Sequence, residues 1–197
     1  MISTESRAPA VLELRGAAVD PLWSGLDLTV GRGEFIAVLG PNGVGKSTLL
    51  RAIMGTRKLS SGTVRAADRI GFIPQQHMFP ADLPIRGRDL VSLACAHGIA
   101  RRRPPAGKVD ELLERVGASH FADQRAGLMS GGQQQLIRQA QALASEPELV
   151  LADEPLLSLD LARERDTVDR LAGLDAGVLC VTCLLYTSPS PRDGLLS

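Results

Sequence analysis

The chain has 197 residues, of which 44% are apolar, 22% are charged and 3% are aromatic. Its length allows one domain with a sizeable core, and so many apolar residues exclude general disorder. Because its 22 basic and 22 acidic residues cancel and aromatic residues are scarce, nucleic acid is not expected as a partner. No apolar run approaches the ~20 residues that a membrane-spanning helix requires.

The N-terminal part of the chain predicts three strands, a helix and a further short strand. Residues 11–19 and 25–30 partly alternate apolar and polar side chains, which is typical of half-buried antiparallel strands. Residues 35–39 (FIAVL) are a continuous apolar run, as in strands buried inside a sheet. A helix is predicted over about 46–55 and a short strand over 70–73.

The pattern changes from residue 75 to about 127, where prolines interrupt the chain and a helical pattern appears. Val109, Leu112, Leu113 and Val116 recur at helical spacing, and Gly117 is expected to end that helix. We therefore predict a helical insertion in the core domain.

The remaining chain returns to alternating helices and strands. A helix is predicted over about 132–145 with Leu136 on its buried face, followed by a buried strand over 149–153 (LVLAD). A helix over 161–174 and a strand over 178–182 complete the pattern. Strands that alternate with helices indicate a mainly parallel sheet and an α/β fold.

A glycine-rich segment after the strand 35–39 matches the phosphate-binding pattern G-x-x-x-x-G-K-[ST]. Its glycines let the backbone curl so that successive N–H groups and the helix N-terminus face phosphate. Lys46 is expected to reach the β- and γ-phosphates, and Ser47 to bind Mg²⁺. The residues predicted to bind the nucleotide here are Gly40, Pro41, Asn42, Gly43, Gly45, Lys46, Ser47 and Thr48.

Two acidic residues stand at the end of the buried strand 149–153. The carboxyl ends of parallel strands are where α/β sheets bind ligands. Asp153 is predicted to hold Mg²⁺, directly or through water. Glu154 is predicted to orient and deprotonate the attacking water, which makes it the predicted catalytic residue.

A second anion-binding helix start is predicted at Ser130, Gly131, Gly132 and Gln133. The helical insertion separates this helix from the phosphate loop, so its start is not expected to reach the chain's own nucleotide. This separation predicts a dimer in which each chain completes its partner's site.

GPNGVGKST, MSGGQQQ and LVLADEP occur in this order, with Pro74-Gln75 between the first two and Ser158-Leu159-Asp160 after the third. Together they resemble the ATP-binding subunit of ABC transporters over about residues 11–182. The resemblance implies a phosphate-loop NTPase fold of the RecA-like α/β class, with an antiparallel β flank. It also implies a domain spanning 1–182 with a helical subdomain inserted at about 76–129.

The same resemblance implies an activity, cofactors and partners. It implies Mg-dependent ATP hydrolysis in a head-to-tail dimer of two ATPase subunits that enclose two ATP molecules. The partners implied are a transmembrane permease and, indirectly, a substrate-binding protein, with this subunit peripheral on the cytoplasmic face of the inner membrane. Gln75 resembles the glutamine that senses Mg²⁺ and the γ-phosphate, and Asp160 resembles the aspartate that acts across the dimer.

Two departures from the family pattern concern the nucleotide. Family members stack adenine on an aromatic residue before the second strand, but residues 17–21 contain none. Adenine binding is therefore expected to be weakened or to use Val19, while Trp23 aligns with a buried apolar position. After residues 178–182 the family carries a histidine that contacts the γ-phosphate, and here Cys183 stands in its place.

The C-terminal segment CLLYTSPSPRD (183–193) resembles a translated end of a transposon-based sequencing adapter. We therefore expect residues 183–197 to be a non-native tail, with a natural Ser/Pro-rich tail as the alternative.

The transported substrate is indicated by residues 75–91 (QQHMFPADLPIRGRDLV), which resemble the permease-docking segment of zinc- and manganese-type importers. Divalent metal uptake is the expected function, with an importer of another substrate as the alternative. A soluble ABC-type ATPase of DNA repair, translation or cluster assembly, and a nucleotide-binding protein with little or no turnover, stay open. The short insertion without heptads argues against the first of these, and Glu154 argues against the second.

Overall fold

The structure is a computed structural model that describes residues 9–75, 78–96, 104–156 and 161–183. Its strands are β1 (Ala10–Val19), β2 (Trp23–Gly31), β3 (Phe35–Leu39), β4 (Ser61–Ala66), β5 (Ile70–Ile73), β6 (Leu149–Asp153) and β7 (Gly177–Thr182). Its helices are α1 (Lys46–Ile53), α2 (Gly87–Cys95), α3 (Lys108–Arg115), α4 (Gly131–Leu143) and α5 (Leu161–Ala172). None of the helices in these described ranges is long and apolar enough to cross a membrane.

The larger sheet is parallel, with the strand order β3-β7-β6-β5. Side chains alternate between its two faces, so Leu151 packs on the side of α1 while Val150 packs on the side of the other helices. β6 and β7 are buried along their whole length, because both faces of the sheet are covered. The prediction of an α/β fold with a mainly parallel sheet is confirmed, and the carboxyl ends of all four strands meet at one edge.

The smaller sheet is antiparallel, with the strand order β2-β1-β4. Leu12 and Leu14 of β1 are buried in the same apolar cluster as Leu50 of α1. The sequence predicts β1 and β2 but not β4, whose only large apolar side chain is Val64. This strand forms because it pairs with the edge of β1 that β2 leaves unpaired, where Leu14 lies opposite Val64. A partner distant in sequence therefore decides the structure of β4.

The predicted helical insertion lies between β5 and α4 and contains α2, α3 and two 3₁₀ turns, Ser119–Phe121 and Ala126–Leu128. Leu112 and Leu113 are buried, and Gly117 follows α3 with a positive φ of 74°, as the sequence predicts. α4 packs against α2, α3 and β5, and so attaches the insertion to the parallel sheet. The subdomain boundaries at 76 and 129 stay a prediction.

α4 buries more polar surface than its sequence predicts. Gln134, Gln135 and Gln139 are at most 3% exposed, whereas Leu136, expected on the buried face, is only half-buried. Gln139 Oε1 accepts a hydrogen bond from Arg170 Nη1 over 3.1 Å. Apolar periodicity cannot find Gln134 or Gln139, because each is buried where a distant segment supplies a hydrogen-bond partner.

Candidate nucleotide-binding site

The phosphate-binding pattern forms a loop of residues 40–45 that joins β3 to α1. Gly43 and Gly45 have φ values of 88° and 94°, which residues with a Cβ rarely adopt. Gly45 precedes α1 without a capping side chain, and the first turn of α1 carries no acidic residue. The N–H groups at the start of α1 therefore remain available to an anion.

Lys46, in the first turn of α1, is buried at the mouth of the loop with 8% of its surface exposed. Its Nζ donates hydrogen bonds to Gly40 O over 2.6 Å and to Pro41 O over 3.1 Å. The same Nζ lies 3.1 Å from Glu154 Oε1. The loop lysine and the carboxylate predicted to act on water therefore neutralise each other.

Ser47 and Asp153 meet across the sheet edge. Ser47 Oγ donates a hydrogen bond to Asp153 Oδ1 over 3.1 Å, although the two residues are 106 positions apart. A hydroxyl and a carboxylate are hard oxygen ligands of the kind that Mg²⁺ prefers. This oxygen pair beside the phosphate loop therefore fits a magnesium ion that also contacts phosphate.

Glu154 is held at the end of β6 by backbone and side-chain contacts. It has a positive φ of 48°, and its N–H donates to Val181 O over 2.8 Å. Its Oε2 accepts a hydrogen bond from Cys183 N over 2.9 Å. Burial raises the pKa of Glu154, but the hydrogen bonds from Cys183 and Lys46 outweigh it, so the net pKa lies below its ordinary value. Glu154 is therefore ionised at neutral pH, as a proton acceptor must be.

The other predicted contacts are spread over the domain. Gln75 follows β5 at the same edge of the sheet, where it is exposed. Ser130 caps α4, which packs against β5 and the insertion, whereas α1 packs against β4, β6 and β7. Ser130 Oγ accepts from Gln133 N over 3.3 Å, and Gln133 Oε1 accepts from Ser130 N over 2.9 Å. The start of α4 thus belongs to a different part of the domain from the phosphate loop.

The sequence profile of the ABC transporter family matches residues 23–157, which include the phosphate loop, the start of α4 and Glu154. This chain belongs to the ABC transporter family. The match covers more than half of the chain, and the described fold contains the ATP-binding domain of that family.

Relatives of this ABC domain carry several names. The zinc import ATP-binding protein ZnuC of Paramagnetospirillum magneticum is 39% identical over 85% of this chain and 64% of its own length. The manganese transport system ATP-binding protein MntB of Halalkalibacterium halodurans is 38% identical over 68% of this chain and 58% of its own. The lipoprotein-releasing system ATP-binding protein LolD 1 of Rhodopseudomonas palustris is 39% identical over 74% of this chain and 71% of its own length. The chain thus spans less than two thirds of the length of these two ZnuC and MntB proteins.

Solved structures of ABC transporters have the same fold. A structure described as an inward-facing metal-chelate type ABC transporter has a TM-score of 0.76 and 29% identity, covering 88% of this chain and 73% of that one. CbiO1 from Clostridium perfringens, part of the ABC transporter complex CbiONQ, has a TM-score of 0.73 and 25% identity. This match covers 88% of this chain and 78% of CbiO1. The predicted fold class, with its antiparallel flank and helical insertion, agrees with both.

Residues at the end of the ABC domain lie partly outside the described chain. Asp160 falls in 157–160, and residues 184–197 of the expected non-native tail are likewise outside the described ranges. Cys183 itself is described, and its backbone N–H donates a hydrogen bond to Glu154 Oε2 over 2.9 Å. This backbone contact does not depend on the side chain at position 183.

The two residues considered for the adenine base, Val19 and Trp23, differ in burial. Val19 is fully buried, so it has no surface on which adenine could rest, and that expectation is wrong. Trp23 is half-buried at the start of β2, and its ring packs against Gly45 of the phosphate loop, where a Cβ would lie 3.0 Å from Trp23 Cδ1. Sequence reasoning missed this contact, because Trp23 and Gly45 meet only when β2 folds beside α1.

Proposed function

We propose that this protein binds and hydrolyses Mg–ATP and thereby powers a membrane importer of divalent metal ions such as zinc or manganese. The observation that carries hydrolysis is the convergence of Lys46, Ser47, Asp153 and Glu154 at one edge of the sheet. These four side chains supply a phosphate-binding cation, two oxygen ligands for Mg²⁺ and a carboxylate for the attacking water.

Each residue has a proposed part in the reaction. Bound Mg–ATP supplies the phosphoanhydride bond that is broken and the metal that neutralises its charge. Lys46, which now contacts Glu154 and the loop carbonyls, would hold the phosphates, and Ser47 and Asp153 would hold the metal. Glu154, once released from Lys46, accepts the proton of the attacking water. Gln75, which follows β5, would contact the metal and the γ-phosphate.

The protein is proposed to act as a head-to-tail dimer. Ser130–Gln133 start α4 far along the chain from the phosphate loop, and the N–H groups of such a helix start bind anions. In the dimer this segment of one subunit binds the nucleotide of the other, and Asp160 acts across the same interface.

The permease is proposed to dock beside residues 75–91, with the subunit peripheral on the cytoplasmic face of the inner membrane. Met78 and Leu93 expose 58% and 62% of their surfaces. A groove of about 340 Å³ is lined among others by Pro74, Ala94 and Arg138. Arg138 lies 4.2 Å over the Phe79 ring, so this groove is continuous with residues 78–80. Exposed apolar side chains such as Met78 and Leu93 suit contact with a partner helix. A substrate-binding protein acts indirectly, through the permease.

Metal uptake is supported by the names of the relatives, among which zinc and manganese importers recur. The LolD relatives, at 39% and 40% identity, favour lipoprotein release as the second candidate.

The test is complementation of a bacterial host that lacks its zinc-import ATPase, grown with a zinc chelator, using the full-length protein and its permease. Growth restored by the wild type but not by Glu154→Gln supports zinc import. Active ATP hydrolysis without restored growth contradicts the zinc assignment and leaves the ATPase intact.

A further inference from the structure

Gln134, in the first turn of α4, joins two separate segments through its buried amide. It is 1% exposed, its Oε1 accepts a hydrogen bond from Phe79 N over 2.7 Å, and its Nε2 donates to Met129 O over 3.0 Å. Because one partner is a donor and the other an acceptor, only one orientation of the amide satisfies both. Gln134 therefore links the segments of Phe79 and Met129 in a defined geometry.

The first linked segment, residues 78–81, is tightly packed on its inner side. The Phe79 ring lies under the guanidinium of Arg138 at 4.2 Å. Gly127 approaches the segment so closely that a Cβ would overlap the carbonyl oxygens of Pro80 and Ala81. Since backbone contacts of this kind leave no free space, residues 78–81 cannot shift without moving α4 or the turn 126–128.

The second linked segment is the start of α4. Met129 is 2% exposed and leads directly into Ser130. Ser130 and Gln133 cap each other reciprocally, which fixes the direction of the first N–H groups of the helix. The position of Met129 therefore determines where these anion-binding N–H groups point.

We propose that Gln134 is a positioning residue that transmits a displacement of residues 78–81 to the anion-binding start of α4. This inference rests on the proposed function, in which residues 78–81 lie beside the permease and Ser130–Gln133 bind the second nucleotide. The neighbouring Gln135 provides a contrast. It is 3% exposed, but neither of its amide atoms has a hydrogen-bond partner within the described ranges. Gln135 is therefore buried in the same helix without linking two segments.

The experiment compares Gln134→Met with Gln135→Met in the full-length protein. Both substitutions replace a buried amide of α4 with an apolar side chain of similar length, and thermal unfolding establishes that each variant is folded. Hydrogen exchange is measured at Phe79 and at Ser130–Gln133, together with kcat and KM for ATP. Gln134→Met is expected to speed exchange in both segments and to lower kcat about fivefold with KM unchanged. Gln135→Met is expected to change neither.

A second variant keeps the proposal testable if Gln134→Met does not fold. At a pH where the introduced carboxyl group is ionised, Gln134→Glu retains an acceptor for Phe79 N but has no donor for Met129 O, so Phe79 is expected to stay protected while Ser130–Gln133 exchanges faster. Faster exchange at Phe79 alone, or equal losses of kcat in Gln134→Met and Gln135→Met, would overturn the proposal. If the wild type hydrolyses no ATP, the proposed function fails, and the exchange comparison still decides whether Gln134 links the two segments.

Discussion

Lys46 and Glu154 form a buried ion pair, with 3.1 Å between Nζ and Oε1 and only 7% of each side chain exposed. One residue begins α1 and the other follows β6, so the pair joins the phosphate loop to the strand that carries the acidic residues. Neither side chain can contact phosphate or water in its proposed role while the pair is closed. In the proposed function Lys46 binds phosphate and Glu154 faces water, so nucleotide binding is expected to separate this ion pair.

Glu154→Gln tests the proposed base. The amide cannot accept a proton, so we expect phosphate release to fall at least about 100-fold, within the range of general base catalysis. ATP binding should persist or strengthen, because Lys46 loses its counter-charge. Phosphate release and equilibrium binding of ATP measure the two effects. If hydrolysis continues at the wild-type rate, Glu154 is not the base.

Lys46→Ala tests the phosphate loop. Removal of the loop cation is expected to abolish ATP binding measured by calorimetry, because Lys46 is the buried ammonium group at the loop mouth. Lys58→Ala is the matched control, since Lys58 is an exposed lysine that follows α1. Equal ATP affinity in the two variants would contradict the position of the nucleotide site.

Trp23 provides an optical test of the same site. It is the one tryptophan of the chain, and its indole packs against Gly45 of the phosphate loop. We expect the intrinsic fluorescence to change when Mg–ATP binds and to stay constant when ATP is added to Lys46→Ala. A calorimetric binding signal without any change in fluorescence would show that the nucleotide leaves the surroundings of Trp23 unaltered.

The stability of the protein is expected to depend on pH through Glu154. Burial alone would raise its pKa, but the Cys183 N–H and Lys46 lower it overall. A lowered folded-state pKa means that the stabilisation is complete above the unfolded-state pKa of about 4.3 and is lost as the pH falls through the folded-state value. Thermal unfolding from neutral pH down to about pH 3 should show a loss in the wild type that is smaller in Glu154→Gln. Parallel curves for the two proteins would argue against the ion pair.

Gly71→Ala tests how the helical insertion is attached to the parallel sheet. A Cβ at Gly71 would lie 2.5 Å from Ala142 O and 3.0 Å from Pro147 Cγ, so β5 and the end of α4 would have to separate. Overpacking of this kind is expected to lower the free energy of unfolding by about 1–3 kcal/mol. Urea denaturation measures the change. Wild-type stability in this variant would mean that α4 moves away from β5 without cost.

Local sequence determined the phosphate loop and the strands that position it. Gly43 and Gly45 supply the positive φ values that the loop requires, and residues 35–39 and 149–153 are apolar runs long enough for buried strands. These signals are contained within a few consecutive residues, so the fold class and the residues of the loop were predictable. The family profile and the solved relatives agree with the predicted fold class.

Tertiary structure alone decided the pairings between distant segments. Val64 is in a strand because Leu14 lies opposite it, and Gln134 is buried because Phe79 N and Met129 O meet its amide. Lys46 and Glu154 are 108 positions apart, by subtraction of their numbers, and form an ion pair only because β3 and β6 end at the same edge of the sheet. Composition and periodicity predict which side of a segment is buried. They do not predict which distant segment it contacts, because that depends on the folded chain.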